Sequence, residues 1–117
     1  MKIVITGHRG FIAGHYYKYL DKNGDYLTPV DKELREANDL CKLENAQCLP
    51  DCDVVVHMAA TNGTKLFYEN PTEVCFNNTL PTFNLVSRYK DTNTKFVFAS
   101  TCEIFNGAID EGHYPIP

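Results

Sequence analysis

Three small residues near the amino terminus are spaced in a way that could hold a phosphate group. Gly7, Gly10 and Ala13 lie in the segment Thr6-Gly7-His8-Arg9-Gly10-Phe11-Ile12-Ala13, directly after a short β-branched run. Gly7 permits a tight turn, Gly10 removes a Cβ where the backbone would meet a pyrophosphate, and Ala13 lets a following helix pack closely. The free N–H groups at the start of that helix would face the phosphates. We therefore predict dinucleotide binding by Gly7, Arg9, Gly10, Phe11 and Ile12.

An acidic residue follows the next predicted strand. Asp31 comes directly after the run Tyr26–Val30. A carboxylate at this point can accept hydrogen bonds from both adenosine ribose hydroxyls and would repel a 2′-phosphate, which favours NAD. Arg9 argues for the alternative, because an arginine in the glycine turn could pair with the 2′-phosphate of NADP. On balance the sequence favours NAD as the cofactor.

The elements that must position these residues alternate between strands and helices. The patterns predict strands at Lys2–Thr6, Tyr26–Val30, Asp53–Met58 and Lys95–Ala99, and a short edge strand near Glu36–Asn38. Helices are predicted over Gly10–Lys22 and from Pro71 toward Tyr89, with Asp39 capping a turn or short helix that reaches Cys48. Residues 59–70 are predicted as loop, and Pro81 is expected to kink or interrupt the long helix. This alternation predicts an α/β fold, a Rossmann-type doubly wound parallel sheet that is truncated after its fifth strand. The 117 residues would form one incomplete dinucleotide-binding domain.

Composition excludes several other classes of protein. The formal net charge of -4 argues against nucleic acid or an anionic membrane as a partner. No apolar run approaches the roughly 20 residues that span a bilayer. The five cysteines are odd in number and scattered, with no Cys-x-x-Cys pair and no complete set of zinc ligands. They indicate reduced thiols in a cytoplasmic protein without a metal site.

Three further segments, residues 53–60, 77–85 and 96–105, complete a set of four with the glycine turn. In this order the four segments resemble the extended short-chain dehydrogenase/reductases, the NAD(P)-dependent nucleotide-sugar epimerases and dehydratases, over essentially the whole chain. The resemblance implies that Asp39 and Leu40 contact the adenine, and that Ser100 and Thr101 close the last strand. Thr101 matches the family's catalytic Ser/Thr, whose hydroxyl bonds the reacting substrate oxygen. The resemblance adds cofactor-binding roles for Met58, Ala59, Ala60, Asn78 and Ser100.

A second catalytic feature of the family is not identifiable in the sequence. The family's hydride chemistry uses Tyr-x-x-x-Lys, whose spacing places both side chains on one helix face, where the lysine lowers the tyrosine pKa. Tyr114 is the last tyrosine, and its fourth following residue would lie beyond Pro117. Residues 110–117 are similar to the loop that precedes the tyrosine helix in this family. We therefore expect a fragment that is inactive alone, from a protein that acts on a nucleotide sugar.

Two other functions remain open at this point, and one assembly is expected. The same fold could serve as a non-catalytic module that binds or senses a dinucleotide, and a scaffold without any ligand is a weaker possibility. A downstream Tyr-x-x-x-Lys pair would distinguish the enzyme from the binding module. The last predicted strand would also lack its next neighbour, and an exposed edge invites association. Together with Phe76, Leu80 and Phe83, this predicts a homo-oligomer.

Overall fold

The computed structural model describes residues 1–101, and within them it has four strands and four α-helices. The strands are β1 (Lys2–Thr6), β2 (Tyr26–Val30), β3 (Val54–His57) and β4 (Lys95–Phe98). The helices are α1 (Phe11–Lys22), α2 (Leu43–Gln47), α3 (Thr64–Glu69) and α4 (Pro71–Tyr89). All strands run parallel, in the order β2-β1-β3-β4. In the register Thr6 lies between Val30 and His57, so the carboxyl ends of three strands meet at one edge.

Helices cover both faces of this sheet, as the hydrophobic runs of its strands require. In β1 the side chains alternate between the two faces. Val4 belongs to a core that includes Leu85 and Tyr89 of α4 and Ala46 of α2. Ile3 and Ile5 belong to a second core on the opposite face, where Ala13 of α1 packs. The Rossmann-type, doubly wound parallel sheet predicted from the sequence is therefore confirmed.

The predicted edge strand near Glu36–Asn38 is wrong. These residues form a single 3₁₀ turn, in which the N–H groups of Asn38 and Asp39 donate to the carbonyls of Arg35 and Glu36 at 3.0 and 2.9 Å. Because the backbone is satisfied locally, it does not pair with β2. The described part of the sheet accordingly has four strands. The prediction of five strands is therefore corrected to four.

Two predictions about the segment before β4 are also wrong. Residues 64–69, predicted as loop, form α3, whose six residues include the exposed Lys65–Glu69 pair at 3.7 Å. Pro81 does not interrupt α4, which runs for 19 residues with Pro81 buried inside it. Pro81 is followed at four-residue intervals by the buried Leu85 and Tyr89, so packing on the sheet holds the helix together despite the lost backbone hydrogen bond. No helix in the described part of the chain is long and apolar enough to cross a membrane.

Candidate cofactor site

A cleft of about 280 Å³ opens at the carboxyl ends of β1, β2 and β3. In an open α/β sheet this edge is where ligands bind. Most of the residues that the sequence and the resemblance assigned to a cofactor line this cleft. They are Gly7, Arg9, Gly10, Asp31, Asp39, Leu40, Met58, Ala59 and Ala60.

Gly7 brings the backbone of the glycine turn against the end of β3. Its φ is +70°, in the left-handed region, and a Cβ added to it would lie 2.7 Å from Ala59 Cα and 2.8 Å from Ala59 N. Its own N–H donates to the carbonyl of Val30 at 2.8 Å, which ties the turn to the end of β2. A side chain at this position would fill the floor of the cleft, so glycine is required by both conformation and space.

The amino terminus of α1 supplies the hydrogen-bond donors of the site. Gly10 is the N-cap residue, and no side chain caps the helix or places an acid in its first turn. The first N–H groups of a helix have no intrahelical partner, and the helix dipole adds a partial positive charge there. Phe11 and Ile12 contribute these N–H groups, while their side chains are 82% and 65% exposed and do not line the cleft.

Asp31 is oriented by the backbone on both of its carboxylate oxygens. The N–H of Arg9 donates to Oδ2 and the N–H of Glu33 donates to Oδ1, each at 3.1 Å. These bonds fix the carboxylate at the rim of the cleft, between the glycine turn and the segment after β2. A carboxylate held in this way can still accept hydroxyl groups, since each oxygen offers more than one lone pair.

Asparagine side chains hold the segment that carries Asp39 and Leu40. Asn38 Nδ2 donates to the carbonyl of Asp31 at 3.1 Å, and Asn45 Nδ2 donates to the carbonyl of Asp39 at 2.9 Å. Asn84 of α4 donates to the carbonyl of Leu40 at 2.8 Å. Asp39 caps a turn and not α2. Its Oδ1 accepts the N–H of Cys41 at 3.1 Å, whereas α2 begins only at Leu43.

A buried chain of hydrogen bonds links the end of β1 to α4. Thr6 Oγ1 accepts the N–H groups of Met58 and Ala59, at 3.2 and 3.1 Å, and lies 2.7 Å from His57 Nδ1. Because this oxygen already accepts two N–H groups, its own proton is donated to Nδ1, and the imidazole proton sits on Nε2. Nε2 then donates to Thr82 Oγ1 at 3.0 Å. Burial lowers the pKa of His57 to about 4, so the ring is neutral at physiological pH.

Asn78 supports the wall of the cleft from behind. Its Oδ1 accepts the N–H of Thr61 at 2.6 Å, and its Nδ2 donates to the carbonyl of Thr61 at 3.0 Å. Thr61 lines the cleft, whereas Asn78 lines a second groove between α4 and the end of β4. The structure thus gives Asn78 a positioning contact through Thr61, and its role in cofactor binding stays a prediction.

Ser100 and Thr101 follow the carboxyl end of β4 and are exposed. Neither lines the cleft described above. The segment 110–117, predicted to be a loop over the active site, lies outside the described residues.

Eight further residues line the cleft without having been predicted to do so. Lys32 and Glu33 directly follow Asp31, and their charges beside it were the one sequence feature that could have indicated a place in the cleft. Burial raises the pKa of the Cys41 thiol, which stays protonated and donates to Asn77 Oδ1 at 3.5 Å. Nothing in the local sequence indicates these contacts between distant segments. The eight residues are Val30, Lys32, Glu33, Asn38, Cys41, Thr61, Asn77 and Pro81.

The residues present fit a dinucleotide. The floor at Gly7 is bare backbone, the start of α1 offers uncapped donors for a pyrophosphate, and Asp31 offers a fixed carboxylate for a ribose. No group of three or more His, Cys, Asp or Glu side chains in the described residues could hold a metal ion. The fold and the cleft together define the class as a dinucleotide-binding domain of the doubly wound α/β type.

The chain belongs to the NAD dependent epimerase/dehydratase family, whose sequence model matches residues 3–114. Protein CapI of Staphylococcus aureus is 29% identical over 90% of the chain, and GDP-mannose 3,5-epimerase of Arabidopsis thaliana is 30% identical over 90%. The chain spans 39% and 32% of the lengths of these two relatives.

Solved structures agree with this assignment. The chain superposes on a Thermus thermophilus UDP-glucose 4-epimerase, solved in complex with NAD, with a TM-score of 0.75 and 27% identity. This match covers 86% of the chain and 38% of the epimerase. Pal from Bacillus thuringiensis matches with a TM-score of 0.79 and 25% identity, over 87% of the chain and 39% of that protein.

Proposed function

We propose that this chain binds NAD, as the cofactor-binding part of an enzyme that acts on a nucleotide sugar. The observation that carries the proposal is the convergence at one sheet edge of the bare floor at Gly7, the uncapped start of α1 and the oriented Asp31 carboxylate. The pyrophosphate would lie on the helix terminus, and the ribose hydroxyls would donate to Asp31. Leu40 and the ordered segment around it would receive the adenine.

NAD is proposed over NADP on electrostatic grounds. Asp31 and Glu33 both line the rim beside the expected ribose, and Arg9 lies close to Glu33. Two carboxylates near a 2′-phosphate would oppose its binding, while they leave a free 2′-hydroxyl unaffected.

Nucleotide binding tests the proposal directly. Because NAD would bind only the folded state, it should raise the unfolding temperature of the chain, and NADP should raise it less. Isothermal titration of Asp31→Asn should show NAD affinity lower by about tenfold, equivalent to about 1.4 kcal/mol for a lost charge-assisted bond. Asp21→Asn is the matched control, since Asp21 is exposed at the far end of α1 and carries the same charge. Unfolding temperatures that do not respond to millimolar NAD would refute cofactor binding by this chain.

We propose hydride transfer at a sugar carbon as the reaction of the whole protein. NAD would supply the hydride acceptor and donor, which is the chemistry of the cofactor itself. Thr101 would hydrogen-bond the substrate oxygen that gains or loses a proton. The chain alone should show no turnover, since its sequence lacks an identifiable Tyr-x-x-x-Lys pair. Turnover of a nucleotide sugar by residues 1–117 alone would contradict this assignment of roles.

Self-association through α4 is a further part of the proposal. Phe76 and Phe83, seven residues apart and so on one face of α4, are 56% and 64% exposed, and a contiguous exposed apolar patch favours association. Light scattering should show a dimer or larger species, and Phe83→Ser should shift it toward monomer. A monomeric wild-type chain at working concentration would refute this part.

The four described cysteines are free thiols, which supports a cytoplasmic location.

A further inference from the structure

We propose that Glu33 is a specificity-determining residue that keeps Arg9 from pairing with the 2′-phosphate of NADP. This inference rests on the proposed binding of a dinucleotide in the cleft. Glu33 and Arg9 both line the rim on either side of Asp31, and Arg9 Nη1 lies 3.7 Å from Glu33 Oε2. Arg9 is the one cation of the glycine turn itself.

The backbone makes this arrangement a property of the local fold. Asp31 accepts the N–H of Arg9 with one oxygen and the N–H of Glu33 with the other. Those two residues are therefore brought together by the carboxylate that would meet the ribose. Their side chains project from backbone positions fixed 3.1 Å from that carboxylate, and they approach each other at the cleft rim.

The contact between Arg9 and Glu33 is electrostatic. At 3.7 Å the two atoms are too far apart for a hydrogen bond, and the side chains are 51% and 68% exposed. Exposed pairs of this kind are weak, so the expected effect is modest: once Glu33 is neutral, Arg9 has no competing anion at the rim and is freer to pair with a doubly charged phosphate. Asp31 would still repel the phosphate in that variant, so the preference should relax without reversing completely.

Glu33→Gln tests the proposal, because glutamine keeps the length and the backbone N–H that Asp31 accepts. The measurement is the ratio of the NADP and NAD dissociation constants, obtained by isothermal titration on the full chain. We expect the ratio to shift toward NADP by about fivefold at low salt, and the shift to shrink at about 1 M salt. Glu36→Gln is the matched control. It removes one exposed acid that pairs with Lys42, and it lies outside the cleft lining.

A double variant shows whether Glu33 acts through Arg9. If Glu33 acts by holding Arg9, most of the shift caused by Glu33→Gln should disappear when Arg9→Gln is also present, which leaves only the direct repulsion between Glu33 and the phosphate. A shift that persists undiminished without Arg9, that equals the shift of Glu36→Gln, or that is absent would overturn the inference. NAD binding by the wild type together with an unshifted ratio would overturn the inference alone. Failure of the wild type to bind either nucleotide would overturn the proposed function along with it. Urea unfolding of each variant verifies that it is folded.

Discussion

Gly7→Ala should destabilise the fold for two separable reasons. The first is conformational, because the φ of +70° at Gly7 costs a residue with a Cβ about 1–2 kcal/mol. The second is steric, because the new Cβ would lie 2.7 Å from Ala59 Cα, where ordinary contact requires at least 3.4 Å. The clashing atoms are backbone at the end of β3, so relief needs a movement of the sheet edge or the turn. Overpacking of this kind costs about 1–3 kcal/mol, which brings the total to roughly 2–5 kcal/mol.

Gly24→Ala provides the matched control. Gly24 has a φ of +78°, yet an added Cβ would have no neighbour within 4 Å. Both variants therefore carry the conformational cost, and the difference between their unfolding free energies isolates the close approach to β3. Urea unfolding followed by circular dichroism should give a difference of about 1–3 kcal/mol, with Gly7→Ala the less stable. Equal free energies for the two variants would refute the argument that Gly7 is required by space.

The remaining predictions concern the buried chain of hydrogen bonds through His57. Its pKa, lowered to about 4 from the ordinary 6.5, means that the unfolded state binds more protons between these values. The stability from a neutral His57 is thus fully present above pH 6.5 and is lost as pH falls toward 4, by on the order of 3 kcal/mol. Urea unfolding across this pH range should show that the unfolding free energy of the wild type falls more steeply with acid than that of His57→Gln. Parallel curves for the two proteins would contradict His57 as the cause. Thr82→Val should cost about 1–3 kcal/mol, since it removes the acceptor of His57 Nε2–H. Thr72→Val, exposed on the same helix, should change stability by less than about 0.5 kcal/mol, and equal losses in the two variants would contradict the role of Thr82.

The parts of the site that are predictable from sequence are those that local chemistry specifies. A β-branched run followed by Gly7 and Gly10 predicts a strand, a turn and a helix within about ten residues, and the structure has all three. Asp31 was found by its place after β2, because the carboxyl ends of parallel strands share an edge. Neither inference needed knowledge of distant contacts.

The segment from residue 32 to residue 42 shows where this reasoning fails. Its polar sequence has no period, so it offered no evidence against an edge strand. Its path is set by Asn38, Asn45 and Asn84, whose amides bond backbone carbonyls up to 44 residues away. The contact from Asn84 exists only once the tertiary fold has formed, and a propensity argument anticipates neither it nor the side-chain bonds of Asn38 and Asn45. The prediction that Pro81 interrupts the helix failed for a related reason, because packing around α4 outweighs the local cost of a proline.

The cleft is built from two kinds of residue, and substitutions in one kind should change stability while substitutions in the other should change nucleotide preference. Thr6, His57 and Thr82 lie behind its floor and form buried or half-buried hydrogen bonds that link the end of β1 to β3 and α4. Changes there alter stability first, because each leaves a buried polar group without its partner. Arg9 and Glu33 lie on the exposed rim, where a lost ion pair costs the fold little. Changes at the rim can therefore alter which nucleotide is preferred while the floor remains intact. If the proposed assignment holds, charged residues that contribute little to stability would tune the preference between NAD and NADP without a change in the glycine turn.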